Sequence, residues 1–168
     1  MIAGIEDYYP YDIYASSSNY GNTGILEIPN ARFMDEATLR FNFSSSFPNE
    51  FTSLTASPFP WFEATYRYVE IKNKLYGPKT FSGNQTLKDK GFDIKFRLSE
   101  ESRLLPATAI GLRDLAGTAL FASEYLVFTK QIGNFDFTTG LGWGSLGSAD
   151  NIGNPLKSFN EDFGNRII

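Results

Sequence analysis

The chain has neither cysteine nor histidine in its 168 residues. That excludes thiol nucleophiles, imidazole acid–base chemistry, Cys/His zinc sites and any disulfide framework. It also leaves no thiol in these residues to carry a bacterial lipoprotein's lipid. Long apolar runs are missing as well. The most apolar window, Leu104 to Phe128, is interrupted by Pro106, Arg113, Asp114 and Glu124, so no spanning helix is expected. Basic clusters are absent too: net charge is −4, the pI is near 4.9, and Lys and Arg are scattered singly. There is no electrostatic footprint for nucleic acid and none for an anionic membrane surface.

Aromatic residues, by contrast, reach 16%, with 16 Phe and 9 Tyr. Much of this content falls in stretches that alternate apolar and polar residues at period two. The clearest is Phe92-Asp93-Ile94-Lys95-Phe96-Arg97-Leu98. As a strand it puts Phe92, Ile94, Phe96 and Leu98 on one face and Asp93, Lys95 and Arg97 on the other. Leu39 to Phe43, Phe62 to Tyr68 and Phe135 to Leu141 alternate similarly. A sheet with one aromatic and one charged face suits two settings. It either covers a soluble core or forms the wall of an outer-membrane barrel, with lipid outside and water within.

Residues 1–36 read as a turn-rich segment, with a single short strand at Ile25–Ile28. Residues 37–143 read as an antiparallel meander of about seven strands, near 37–45, 50–57, 61–71, 91–99, 106–113, 119–130 and 134–143. The sixth also scans as a helix over 116–128. Alternation of Tyr125, Val127 and Thr129 decides for a strand. Residues 144–168 read as loop. The connections at 58–60, 99–105 and 131–134 are short or medium and fall at one end of such a meander. The long stretches 72–89 and 144 onward fall at the other, a habit of outer-membrane barrels. Asp114 to Thr118 is short at the long-loop end and breaks the pattern.

Chemistry was sought in three places. Gly142-Trp143-Gly144-Ser145-Leu146-Gly147 has dinucleotide-fingerprint spacing, but Ser148 to Pro155 reads as loop, not the helix that a pyrophosphate needs. The carboxylates Glu63, Asp93, Glu124 and Asp136 invite a glycosidase reading, which requires no His or Cys. Arg67, Lys95, Arg97, Arg113 and Lys130 sit near them, so cross-strand ion pairing is the simpler account. Trp61, Phe62, Tyr66 and Tyr68 could stack on sugar rings, although such a stripe more often meets core or lipid. No metal ligand set or cofactor motif is found.

Several segments resemble the YjbH family of bacterial outer-membrane proteins linked to exopolysaccharide production. They are Gly21-Asn22-Thr23-Gly24-Ile25-Leu26-Glu27-Ile28-Pro29-Asn30-Ala31-Arg32, Pro60 to Tyr68, Lys88 to Leu98, Gly111 to Thr118, Ser123 to Val127, and Gly133 to Phe137 running into Gly140-Leu141-Gly142-Trp143-Gly144. They occur in the family's order between residues 19 and 157. The resemblance implies a β-barrel in the bacterial outer membrane and a role in making or exporting extracellular polysaccharide. Lipid, the polymer and other envelope polysaccharide-export proteins would be its partners. It brings no catalytic residues.

The resulting expectation is all-β: an antiparallel meander forming part of a transmembrane outer-membrane barrel, non-catalytic and without cofactor or metal. Glu63, Arg67, Asp93, Lys95, Arg97, Arg113 and Glu124 would line the lumen and contact saccharide. The first ten residues have no basic n-region or apolar h-region, so a truncated start is expected. The alternatives are a structural or diffusion barrel without sugar preference, and a soluble carbohydrate-binding β-sandwich whose core is the aromatic face.

Overall fold

The computed structural model describes residues 15–147 and 152–164. Seven strands form one antiparallel sheet in sequence order: β3 (Thr38–Ser46), β4 (Asn49–Phe59), β5 (Phe62–Leu75), β6 (Thr86–Ser99), β7 (Ala107–Arg113), β8 (Ser123–Ile132) and β9 (Phe135–Gly144). Before them, β1 (Gly24–Ile25) and β2 (Ile28–Pro29) pair as a minimal hairpin. The meander is as expected. The sheet does not close, because β3 and β9 are its two edges. Among the described residues no helix is long and apolar enough to cross a membrane.

Strand boundaries follow the alternation, with three differences. The single short strand expected at Ile25–Ile28 is a pair of two-residue strands that turn at Leu26, whose φ is 51°. β5 and β6 extend farther than expected into the 72–89 stretch and leave only one helical turn, Lys79–Ser82, between them. β8 begins at Ser123 rather than 119, since Ala119 takes a φ of 63° and Ala122 N–H donates back to the Ala119 carbonyl. The β7–β8 connection thus occupies 114–122 and joins the longer connections at that end. The 144–168 region contains short 3-10 turns at Pro155–Ser158 and Glu161–Gly164 within its described part.

Register sorts the side chains. Thr65↔Asp93, Glu63↔Lys95 and Gly111↔Lys95 set one face; Phe62↔Phe96, Tyr66↔Phe92 and Ile94↔Leu112 set the other. Much of the aromatic face is exposed, Phe41 at 70% and Phe92 at 49%, whereas Asn154, Pro155 and Leu156 lie against its part on β6 to β8. No second sheet covers it among the described residues, so the sandwich with an aromatic core is not formed here. The polar face is covered by the stretch from Ser16 to Met34, and it holds the buried core. One cluster joins Ala31 and Phe33 to Ala107, Ala109, Tyr125 and Val127. The other joins Tyr20 to Phe51, Val69 and Ile71. Gly111 is required where it stands, since a Cβ there would lie 2.2 Å from the Tyr125 ring that crosses it.

The Tyr20 ring packs tilted against Phe51 at 5.0 Å and edge-on against Phe121 at 5.9 Å between centroids, which ties segment, sheet and loop together. Phe51→Ala should therefore cost about 3–5 kcal/mol as a core truncation, and Phe41→Ala far less. Denaturant unfolding followed by tyrosine fluorescence measures both, and equal losses would contradict this placement of the core.

Candidate functional site

The polar face presents charged groups from β3, β5, β6 and β7, where alternation forces every second residue toward the covering segment. Charge at these positions is expensive unless it is paired and hydrogen-bonded. The structure pairs these charges in two centres. In the first, Lys95 Nζ lies 3.0 Å from Glu63 Oε2, with the two side chains only 2% and 1% exposed. Glu63 Oε1 accepts from Thr23 Oγ1 at 2.5 Å and from the Met34 N–H at 2.9 Å. Lys95 donates to the carbonyls of Thr23 at 3.2 Å and Arg32 at 2.5 Å, and sits 4.3 Å from the Phe33 ring centroid. A cross-strand ion pair thus grips the segment's backbone from two sides.

In the second centre, Arg67 Nη1 donates to both Asp93 oxygens at 3.1 and 2.9 Å, and Arg67 Nη2 lies 3.9 Å from Asp114. Asp93 Oδ1 also accepts from the Asp114 N–H at 2.9 Å. The Arg67 guanidinium is 5.2 Å from the centroids of both Tyr20 and Phe121. Gly91 sits beneath this network, with no room for a Cβ, which would fall 2.4 Å from Asp114. Burial lifts the Asp114 carboxyl above its ordinary range despite the Phe121 N–H it accepts.

Arg113 donates to the Glu27 carbonyl at 3.1 Å and stands 4.4 Å from the Tyr20 ring. Arg97 lies at the rim, 4.6 Å from the Phe33 ring, and pairs with Glu100 at 3.0 Å. Six of the seven expected residues thus share the polar face. Glu124 does not. It pairs with Leu112 in register and points to the aromatic face, 4% exposed, where Asn154 Nδ2 donates to it at 2.8 Å. The expectation that Glu124 faces the lumen side is corrected on this point. Beside it Phe96, Ile110, Leu112, Leu126, Trp143 and Leu156 border a cavity of about 320 Å³. The ion partners also differ from simple proximity in sequence, because Glu63 pairs with Lys95 and Arg67 with Asp93, not Glu63 with Arg67.

Sequence reasoning missed Arg40, Thr55 and Thr129. Arg40 donates to the Gly21 and Ala15 carbonyls at 2.9 and 3.1 Å, and Thr55 to the Gly21 carbonyl at 2.9 Å. Thr129 accepts from the Ala31 N–H at 2.8 Å. Their parity within the strands marked their face, but nothing local marked their partners. Among the described residues no group of three or more Asp, Glu, His or Cys could hold a metal ion. Every acid of the two centres faces a cation.

The family described as "Exopolysaccharide biosynthesis protein YbjH" matches residues 16–167, the covering segment included. The chain belongs to this YjbH family. It is similar to the protein named "Uncharacterized lipoprotein YjbH" of Escherichia coli (strain K12), with 46% identity over 156 residues. That alignment takes in 92% of this chain but only 22% of the relative, so the chain spans a minor part of that relative's length. No solved structure matches it. The family match thus extends over both the sheet and the segment seated on it.

Two predictions concern the centres. Lys95→Met alone leaves Glu63 buried without its cation and should cost about 3–5 kcal/mol. Lys95→Met with Glu63→Gln should cost clearly less, and a double-mutant cycle in denaturant measures the coupling.

The second concerns the rim, where Arg32 binds Glu101 at 2.7 Å and Asp136 at 2.5 Å, and Lys130 binds Glu101 at 2.8 Å. Partial burial works against the Glu101 carboxylate, but hydrogen bonds from Lys130 and Arg32 hold its pKa below the usual range. A depressed pKa contributes stability above the unfolded-state value and loses it as pH falls through the folded one. Acidification below about pH 4 should therefore loosen this clamp, and Glu101→Gln should flatten the acid limb of a stability–pH curve.

Proposed function

We propose that this chain forms part of the wall of an outer-membrane β-barrel that takes part, without catalysis, in exopolysaccharide production or export. The observation that carries the reading is the inverted polarity of the sheet. Most of its aromatic face is exposed while its charged face is buried, the reverse of a water-soluble sheet. Leu39, Phe41, Phe43, Leu54, Phe92, Phe137 and Leu141 are all exposed on it. So wide an apolar surface is unfavourable in water and natural against lipid. The two open edges favour completion by further strands, since unpaired backbone groups are not tolerated in hydrocarbon.

The polymer role comes from family membership, together with the description that the family carries. The relative's name as a lipoprotein is consistent with a place in the cell envelope. Glu63, Arg67, Asp93, Lys95, Arg97 and Arg113 would meet a hydroxyl-rich polymer from the lumen side once the covering segment yields access. The ion-paired state of Glu63 and Asp93 argues for binding rather than hydrolysis, which needs an acid free to give its proton.

Phe92→Arg tests the reading. Near a bilayer midplane this change should cost about 2–4 kcal/mol, whereas at a half-exposed position in water it should be nearly neutral. Folding titrations into lipid vesicles give the first number. In cells, the variant should be depleted from the outer-membrane fraction and secreted polymer should fall with it. A neutral effect on both would reject the membrane wall.

A further inference from the structure

The stretch from Ser16 to Met34 differs from an ordinary covering loop in how it is held. Side chains of the wall reach its backbone at many points, while Asn19, Tyr20, Thr23, Arg32 and Phe33 reach back to the wall with their side chains. Lys95 binds the carbonyls of Thr23 and Arg32, Arg40 and Thr55 bind that of Gly21, and Arg113 binds that of Glu27. Glu63 takes the Met34 N–H and Thr129 the Ala31 N–H. Three of these six wall residues carry cations, and all six are fixed on strands.

The seat is also incomplete. Asn22 Nδ2, Arg40 Nε, Arg113 Nε and Ser123 Oγ are buried without a hydrogen-bond partner. A cavity of about 240 Å³ separates Ile28 and Pro29 from Val127, Gly140 and Leu146. At the hairpin, Ile25, Leu26 and Ile28 stay exposed. The segment therefore lies on the polar face without filling it.

We propose that residues 16–34 are a displaceable plug, with the buried ion pairs of the wall as its seat. The same charges that would meet a polymer are occupied by the plug's backbone while it is in place. Polar access through the lumen then requires it to leave, and the exposed Ile25-Leu26-Glu27-Ile28 tip is the handle by which a partner would draw it out. Backbone carbonyls suit such a device, because a polymer's hydroxyl oxygens can replace them at the same cations. The inference rests on the membrane-wall reading and adds regulation to it.

The test uses Ser18→Cys as a reporter in the full-length polypeptide reconstituted in liposomes. Ser18 is buried at 2% exposure, these 168 residues contain no other thiol, and any cysteine elsewhere in the polypeptide is replaced by serine. A membrane-impermeant maleimide should label it slowly in the native background and much faster with Glu63→Gln and Lys95→Met together. A second protein carries Ala31→Cys and Thr129→Cys, whose Ala31 N–H to Thr129 contact brings the two positions together. Closing that disulfide in the Gln/Met background should restore slow labelling and block sugar entry in liposome swelling, and reduction should reverse both. Equal labelling with and without Glu63→Gln and Lys95→Met, in protein that has inserted, overturns the plug alone. Fast labelling that disulfide closure fails to reverse means general unfolding and overturns it as well. Failure of the native protein to insert overturns the membrane reading and the plug together.

Discussion

Everything on the covered face depends on the ion pair between Lys95 and Glu63. Taking two charges out of water costs several kcal/mol per ion, and their attraction repays this only with further hydrogen bonds. Those bonds come from Thr23, Arg32 and Met34, which belong to the segment and not to the sheet. The strands thus leave charges that only the segment can satisfy. The segment is in turn too poor in apolar residues to fold by itself. Arg67 with Asp93 repeats the bargain beneath Tyr20 and Phe121.

That constraint explains the division of labour between faces. The aromatic residues of the exposed face, such as Phe41, Phe43 and Phe92, contribute little to internal packing. The buried apolar contacts are few and fall where the segment touches the wall, at Phe33 with Ala107 and Ala109, and at Tyr20 with Phe51 and Val69. Small residues there let the backbone of the segment approach closely. Gly111 under Tyr125 and Gly91 under Asp114 serve the same need.

The sheet was legible because a period of two is a strong signal when charged and aromatic residues alternate. Seven strands and their order came directly from it. Glu124 shows the limit of reading polarity without parity. Tyr125, Val127 and Thr129 were recognised as one face, and that alone put Glu124 on the other with Leu126 and Phe128. Its carboxylate was nevertheless assigned by type to the polar side. The boundary of β8 was blurred because alanines at 116, 119 and 122 fit helix and turn alike. The hairpin and the plug were not legible, since Ser, Asn and Gly mark a turn but do not say what it rests on. The partner of the Ala31 N–H lies 98 residues away, beyond any local pattern.

That distance also sets an order in time. Ala31 leaves the ribosome well before Thr129, yet its backbone has nowhere to bind until β8 is paired. Contacts between neighbouring strands close small loops, whereas seating the segment closes a loop that takes in six strands, and long closures are slow. The segment made before the sheet is thus the last to find its place. Until it does, the cations of the half-formed wall remain hydrated and the wall itself remains pliable. Final dehydration of Lys95 and Arg67 is the event that turns a chain of hairpins into a finished piece of structure.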